Sequence, residues 1–482
     1  YTLTLTIALL LTGAGKSLCY QYPAIALDKL VIVISPLIAL MKDQVESLNQ
    51  KGIPAGCLHS HMTLNERRAV FQAMGNGGAF ILYLSPERTQ KEGFKNWFSK
   101  VPVALMAIDE AHCVSQWGHD FREEYSQLGE IRALRPDIPV LALTASATPF
   151  VLKDIARHLK LKRPSQHVHG FYRPNLYYQV ETCTDENEKL DFVRGALHRF
   201  DQGLVIIYCG TRNMTESLQS ALLSEHLGVG RYHAGLSPEE RTATQTAFAE
   251  GSLRILVATN AFGMGIDQPD VRLVIHFQMP ANIDALYQEM GRAGRDSQES
   301  TCLLLYSKKD KGLQSFFIQN SKAKGSILSS RWRALDNLVS YAEGFECRHS
   351  EILIYYQDTQ RIDQCGHCDV CDPESLRKVR RVAPVTSQEP TTSMSRRKKS
   401  RVDHDISLSA EESRLFEILR MWRKDKSKEL DVPAFVILSD KTLRQLAVHR
   451  PQTKEELHKI YGFGEVKIER FGEEILKGPL GH

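Results

Sequence analysis

The sequence predicts an α/β protein of two lobes, each a parallel sheet covered by helices, followed by a small helical module and a closing helical domain. Short runs rich in Val and Ile alternate with amphipathic stretches up to about Leu161, and the same alternation starts again after Phe171. Strand-like runs then vanish from Lys311 to Asp372, where helical spacing takes over. A chain of 482 residues is also long for one core and suggests about three domains.

In the first lobe the expected strands are Leu30–Ser35, Ala79–Ser85, Val103–Asp109 and Val140–Thr144. In the second they are Gly203–Cys209, Arg254–Thr259, Val271–Phe277 and Thr301–Tyr306. Bounded apolar runs of this kind suit strands buried on both faces of a wound parallel sheet. The apolar run Tyr1–Leu11 lacks the basic start and small-residue cleavage site of a secretion signal, and reads as a buried strand. The boundaries expected are a first lobe over 1–165, a second over 166–310, a helical module over 311–373, a basic disordered linker over 374–406 and a helical domain over 407–482. Between Arg377 and Arg401 the linker carries nine Lys/Arg against one acid, Glu389, with much Pro, Ser and Thr. The closing domain regains a helical stripe in Leu415, Ile418, Leu419 and Trp422.

Composition narrows the function classes. With 42% hydrophobic and 24% charged residues, disorder cannot dominate. A net charge of +4 permits a polyanionic partner without demanding one. Six of the ten cysteines (Cys19, Cys57, Cys113, Cys183, Cys209 and Cys302) stand alone in apolar contexts, which argues for a reducing compartment. No stretch approaches the roughly 18 apolar residues of a bilayer span, so no membrane partner is expected.

Thr12-Gly13-Ala14-Gly15-Lys16-Ser17 follows an apolar strand and precedes a helix-compatible run. In that setting glycines let backbone N–H groups approach the phosphates of ATP, Lys16 reaches the β and γ oxygens, and Ser17 offers its hydroxyl to Mg²⁺. The strict pattern would place Gly where Leu10 stands, so a bare Gly-rich turn is the alternative. The strand Val103–Ile108 ends in Asp109-Glu110-Ala111-His112, at the sheet edge where Mg²⁺ sits in this architecture. Asp109 is assigned to the metal and Glu110 to the attacking water, because one carboxylate serves both tasks poorly. Cys365-Gly366-His367-Cys368-Asp369-Val370-Cys371 holds two consecutive Cys-x-x-Cys steps, with Cys347 upstream. Four thiolates would close a structural Zn²⁺ site; His367 makes a poorer bite, and a redox dithiol is the alternative.

The stretch from Asp109 through Gln116, Trp117, Phe121 and Arg122 resembles the DEAH box and aromatic-rich loop of RecQ-family DNA helicases, members of helicase superfamily two. Ala258–Asp267 and Tyr287–Asp296 resemble that family's strong second-lobe motifs, and the likeness runs in order from Thr12 to about Asp372. It implies two RecA-like P-loop lobes and an arginine finger at Arg295, supported by Arg292 and Gln288. Gln116, Trp117, Phe121 and Arg122 would sense single-stranded DNA, agreeing with aromatic faces for base stacking and a cation for phosphate. It also implies zinc on Cys347, Cys365, Cys368 and Cys371. The closing segment resembles an HRDC domain, with Tyr461-Gly462-Phe463-Gly464-Glu465 as a phosphate-facing or merely helix-capping loop.

What the resemblance implies functionally is ATP-driven 3′-to-5′ translocation and strand separation on single-stranded, branched or tailed DNA, in recombination, repair, replication and the SOS response. The expected setting is a bacterial-type cytoplasm at the nucleoid, with a single-strand-binding protein as a candidate partner. The family places a winged helix where only the linker 374–406 stands, and an adenine-reading segment ahead of the phosphate loop, so both are expected to be missing. A translocase that does not unwind, an RNA helicase and an inactive DNA-binding scaffold are the rivals.

Overall fold

The computed structural model describes residues 5–10, 15–115, 121–168, 170–225, 228–263, 268–321, 323–382, 409–429, 437–438, 440–458, 460, 463 and 467–479. Its contacts gather into two units, 1–386 and 387–482.

The first sheet contains β1 (Thr6–Leu9), β2 (Leu30–Ile34), β3 (Ala55–Leu58), β4 (Phe80–Leu84), β5 (Leu105–Ile108), β6 (Val140–Thr144) and β7 (Ser165–Val168). All run parallel in the order β3-β4-β2-β5-β6-β1-β7. Every residue of β2, β4, β5 and β6 is buried, as unbroken runs such as Leu-Val-Ile-Val-Ile require when helices cover both faces. Burying each such side chain contributes about 1.5–3 kcal/mol. The edge strand β7, Ser-Gln-His-Val, is exposed throughout and held by pairing with β1. The first sheet therefore extends past residue 165.

The second sheet holds β8 (Leu176–Thr182), β9 (Leu204–Tyr208), β10 (Val229–Tyr232), β11 (Ile255–Ala258), β12 (Val271–His276) and β13 (Ser300–Tyr306). These are again parallel, in the order β10-β11-β9-β12-β13-β8. Beyond it, the helices Lys308–Gln319, Gly325–Glu343 and Arg348–Tyr355 lead to the cysteine loop.

The expected disordered linker is corrected at its start. Val379 is fully buried, and its N–H and C=O pair with the Gln179 side chain on β8, at 2.8 Å each. Arg377 donates to Ser300 O at 2.8 Å and lies over Tyr177. Residues 374–382 are thus docked by one apolar anchor and buried backbone bonds, a pattern their charge-rich composition conceals. Residues 383–406 lie outside the described residues.

In the second unit the helices Ala410–Glu429 and Asp440–His449, with the later turns, enclose Leu419, Leu443, Leu446, Leu457 and Ile475. Trp422 Nε1 donates to Glu474 Oε1 at 3.1 Å, closing that small core on one side.

Candidate nucleotide site and zinc centre

Parallel strands all end at one edge, so the turns after β1, β2, β4, β5 and β6 gather there. Gly15 takes φ +76°, a backbone state glycine adopts at little cost, and its carbonyl accepts Leu18 N at 2.9 Å to start the helix Leu18–Leu27. Lys16 is half-buried beside that helix N-terminus, and Ser17 lies next to it. Thr12, Gly13 and Ala14 lie outside the described residues.

Asp109 is buried at the end of β5, its N–H donating to Ile34 O at 2.9 Å and its carbonyl accepting the Tyr125 hydroxyl at 3.0 Å. Burial, and then the neighbouring Glu110 carboxylate, push the Asp109 carboxyl up to about 7, with Lys16 opposing. Glu110 occupies the left-handed region at φ +47°, a state that costs a non-glycine residue about 1–3 kcal/mol. It turns the chain off the strand and brings Glu110 Oε2 within 3.3 Å of His112 Nδ1. The same His112 nitrogen lies 3.0 Å from Thr144 Oγ1, whose hydroxyl donates to Ser146 O at 3.1 Å. His112 therefore lies between the Glu110 carboxylate and the Thr144-Ala145-Ser146 turn after β6.

The loop that carries the expected DNA sensor is tied at both ends. Ser115 Oγ donates to the buried Asp154 at 2.7 Å, and Arg122 donates through its N–H to Cys113 O and through Nη1 to Pro36 O, both at 3.0 Å. Phe121 is exposed, whereas Gln116 and Trp117 lie outside the described residues. Arg122 acts here as an anchor to the Ser35-Pro36 turn. Ser35 and Ser85 are buried, and their N–H groups donate to Leu84 O at 3.0 Å and to Leu58 O at 3.2 Å.

In the second lobe Arg292 is buried and donates through Nη1 to Gly263 O, bracing the turn that opens the Gly263–Asp267 stretch. Tyr208 OH donates to Phe262 O at 3.1 Å beside it. His276 Nε2 meets Glu289 at 2.8 Å and fixes the helix Ile283–Met290 to β12. Gln288 and Arg295 are half-buried, while Met264 to Asp267 lie outside the described residues. Arg292 is thus a bracket within its own lobe, and Arg295 the more accessible cation.

Cys347, Cys365, Cys368 and Cys371 bring their sulfurs within 4.8 Å of one another. Tetrahedral zinc with bonds of about 2.3 Å needs sulfurs about 3.8 Å apart, so the cluster fits the ion. Hydrogen bonds from Cys365 and Cys368 hold the Cys347 thiol down to about 3. His367 is spent elsewhere, with Nδ1 3.1 Å from Leu176 O and Nε2 2.8 Å from Tyr172 OH, which supports the all-cysteine set. The loop docks on β8: Cys368 pairs with Tyr178, and Asp369 accepts Val180 N while gripping the buried Arg348.

Family profiles match in sequence order: DEAD/DEAH box helicase over 5–155, helicase conserved C-terminal domain over 188–297, RecQ zinc-binding over 308–372 and HRDC domain over 412–478. The ATP-dependent DNA helicase RecQ of Haemophilus influenzae is 32% identical over 96% of this chain and 89% of its own, and that of Bacillus subtilis 32% identical over 98% and 92%. The chain belongs to the RecQ family of ATP-dependent DNA helicases. The Bacillus alignment spans 552 positions against 482 residues here, so that RecQ carries at least 552 − 482 = 70 residues without a counterpart in this chain. In fold alone, the chain resembles the helicase MrfA bound to DNA and AMPPNP (TM-score 0.52, 18% identity, 75% of this chain and 56% of that one). Yeast Dbp5 bound to RNA and ADP BeF3 is similar at TM-score 0.51 and 18% identity, over 69% of this chain and 83% of that one.

RecQ membership accords with two parallel-sheet lobes, a zinc-binding cysteine cluster and an HRDC domain. Among the described residues no helix is long and apolar enough to cross a membrane. Residues the sequence did not single out are Tyr125, Asp154 and Arg173, each of which supports a loop through buried hydrogen bonds. Only the Phe171-Tyr172-Arg173-Pro174-Asn175 string, a cation wedged between aromatics and a proline at the lobe junction, carried a signal.

Proposed function

We propose that this RecQ chain couples ATP hydrolysis to 3′-to-5′ movement along single-stranded DNA and separates tailed or branched duplexes. The observation that carries the reading is the gathering of Lys16, Asp109 and Glu110 at one sheet edge, with Glu110 linked through His112 to the Thr144 turn. Lys16 and Ser17 would hold the β and γ phosphates with Mg²⁺, Asp109 would complete the metal's ligands, and Glu110 would orient the attacking water. Arg295 from the second lobe would stabilise the transferring phosphoryl group when the lobes close, with Gln288 beside it. Thr12, Gly13 and Ala14 would lend backbone to the phosphates. Gln116, Trp117 and Phe121 would meet bases, so strand occupancy would reach Glu110 along the anchored loop. Zinc would hold the cysteine loop on β8 without taking part in hydrolysis.

The roles follow the proposed organisation of two lobes, the first carried past residue 165 to the end of β7 at Val168, with the zinc module and the HRDC domain. Recombination and repair, with a single-strand-binding protein as partner, are the pathways this activity would serve. The residues that the Bacillus RecQ carries and this chain does not favour a second reading, translocation with weak unwinding. Lys16→Ala should abolish ATPase, and strand displacement on 3′-tailed and forked DNA run in parallel separates the two: ATP turnover without displacement supports the second.

A further inference from the structure

The segment Phe171–Asn175, which enters the second lobe, clasps the turn that carries Arg295. Arg173 is buried, and its Nη2 donates to Ala293 O at 3.0 Å and to Gly294 O at 3.1 Å. Asn175 Nδ2 donates to Gly294 O at 2.8 Å and to Gln298 O at 3.0 Å. The Ala293 and Gly294 carbonyls precede Arg295, and that of Gln298 follows it. Gly294 itself has φ +56°, and a Cβ there would lie 2.4 Å from Asn175 Nδ2, so the turn and its clasp fit only with glycine.

The other end of the segment is equally fixed. Phe171 stacks on Tyr356 with ring centroids 3.9 Å apart, its N–H donates to Asp358 at 2.6 Å and its carbonyl accepts Tyr287 OH at 3.1 Å. Arg173 therefore cannot follow a loose turn; the turn must conform to Arg173. A guanidinium bridging two successive carbonyls fixes the direction in which the next side chain leaves the backbone, and catalytic cations lose effect when displaced by about 1 Å.

We infer that Arg173 is a positioning residue that aims the Arg295 guanidinium, with Asn175 as its partner. This rests on the reading of Arg295 as the finger. The test is steady-state ATPase of the full chain with saturating single-stranded DNA, on wild type, Arg173→Ala, Arg173→Lys, Asn175→Ala, Arg295→Ala and the Arg173→Ala/Arg295→Ala double variant. Zinc content and nucleotide-free DNA affinity are measured for each.

Arg173→Ala should lower kcat by about tenfold or more while KM for ATP, DNA affinity and zinc content stay near wild type. Lysine, with donors but no fork, should restore part of the rate, and Asn175→Ala should show the same pattern at smaller size. If Arg173 acts through Arg295, adding Arg173→Ala to Arg295→Ala should change kcat by no more than about twofold. A kcat unchanged in both Arg173→Ala and Asn175→Ala, or fully additive losses in the double variant, would overturn the inference. Should Arg173→Ala not fold, Asn175→Ala combined with Arg295→Ala decides on the same criterion. Wild-type ATPase unaffected by Arg295→Ala would instead overturn the finger reading beneath it.

Discussion

At the residue scale two adjacent carboxylates, Asp109 and Glu110, are held differently. Asp109 is buried, and its carboxyl is pushed up to about 7 by burial and by Glu110. With Asp109 as the proposed metal ligand, Mg²⁺ would have to displace its proton below that pH but not above it. The Mg²⁺ concentration for half-maximal ATPase should rise by up to about tenfold per pH unit below 7 and level off above, as read from Mg²⁺ titrations at fixed pH. A pH-independent Mg²⁺ requirement would remove Asp109 from the metal. Glu110 sits in a left-handed turn beside His112, and on its proposed role of orienting the water Glu110→Gln should bind ATP nearly normally and lose turnover by about a hundredfold or more, checked by nucleotide binding beside ATPase. These two acids were legible in the sequence because an acidic pair closes an apolar strand. Tyr125 and Asp154 were not, since a lone tyrosine or aspartate on an ordinary helix shows its partners only after folding.

At the scale of elements, the strands expected from unbroken apolar runs are found in the two sheets within a residue or two at their ends, apart from the Tyr1–Leu11 run, of which β1 takes Thr6–Leu9. The strands left unforeseen each lacked such a run: β3 is the short Ala-Gly-Cys-Leu, β7 is polar and exposed, β10 is Val-Gly-Arg-Tyr, and β8 carries a buried Gln179 whose amide serves Val379. The same contact explains why 374–382 was misread as disordered, because a polar pair buried on β8 leaves no periodicity behind. The helix Arg348–Tyr355 carries a testable charge. Glu351 is half-buried with its Oε2 shielded from solvent, and desolvation raises its carboxyl from 4.5 to about 8 despite Arg348 nearby. The folded state thus binds this proton more tightly than the unfolded chain, so stability should fall as pH rises through that window, by at most about 1.4 kcal/mol per unit. Glu351→Gln should flatten that part of the thermal-midpoint profile between pH 5 and 8; an unchanged slope would show that Glu351 ionises freely. Cys368→Ser should release zinc and, since Cys368 pairs with Tyr178 on β8, lower the thermal midpoint, measured by metal analysis and calorimetry.

For the whole molecule, the sequence order of the phosphate loop, the acidic pair, the second-lobe arginines and the cysteine cluster maps onto two sheets and a docked zinc loop within one unit, followed by the HRDC unit. The cysteine cluster was readable from spacing and likeness, but the two bonds of His367, to Leu176 and Tyr172, needed the fold. The contacts of His112 with Glu110 and Thr144, and of Arg173 with the Ala293-Gly294 turn, are likewise tertiary. The central claim is that this chain is a DNA-dependent ATPase motor. Its most direct test is ATP turnover by the full 482-residue chain with and without single-stranded DNA, beside Lys16→Ala. Turnover stimulated about tenfold or more by DNA and lost in Lys16→Ala is the expected result; turnover indifferent to DNA, or surviving Lys16→Ala, would contradict it.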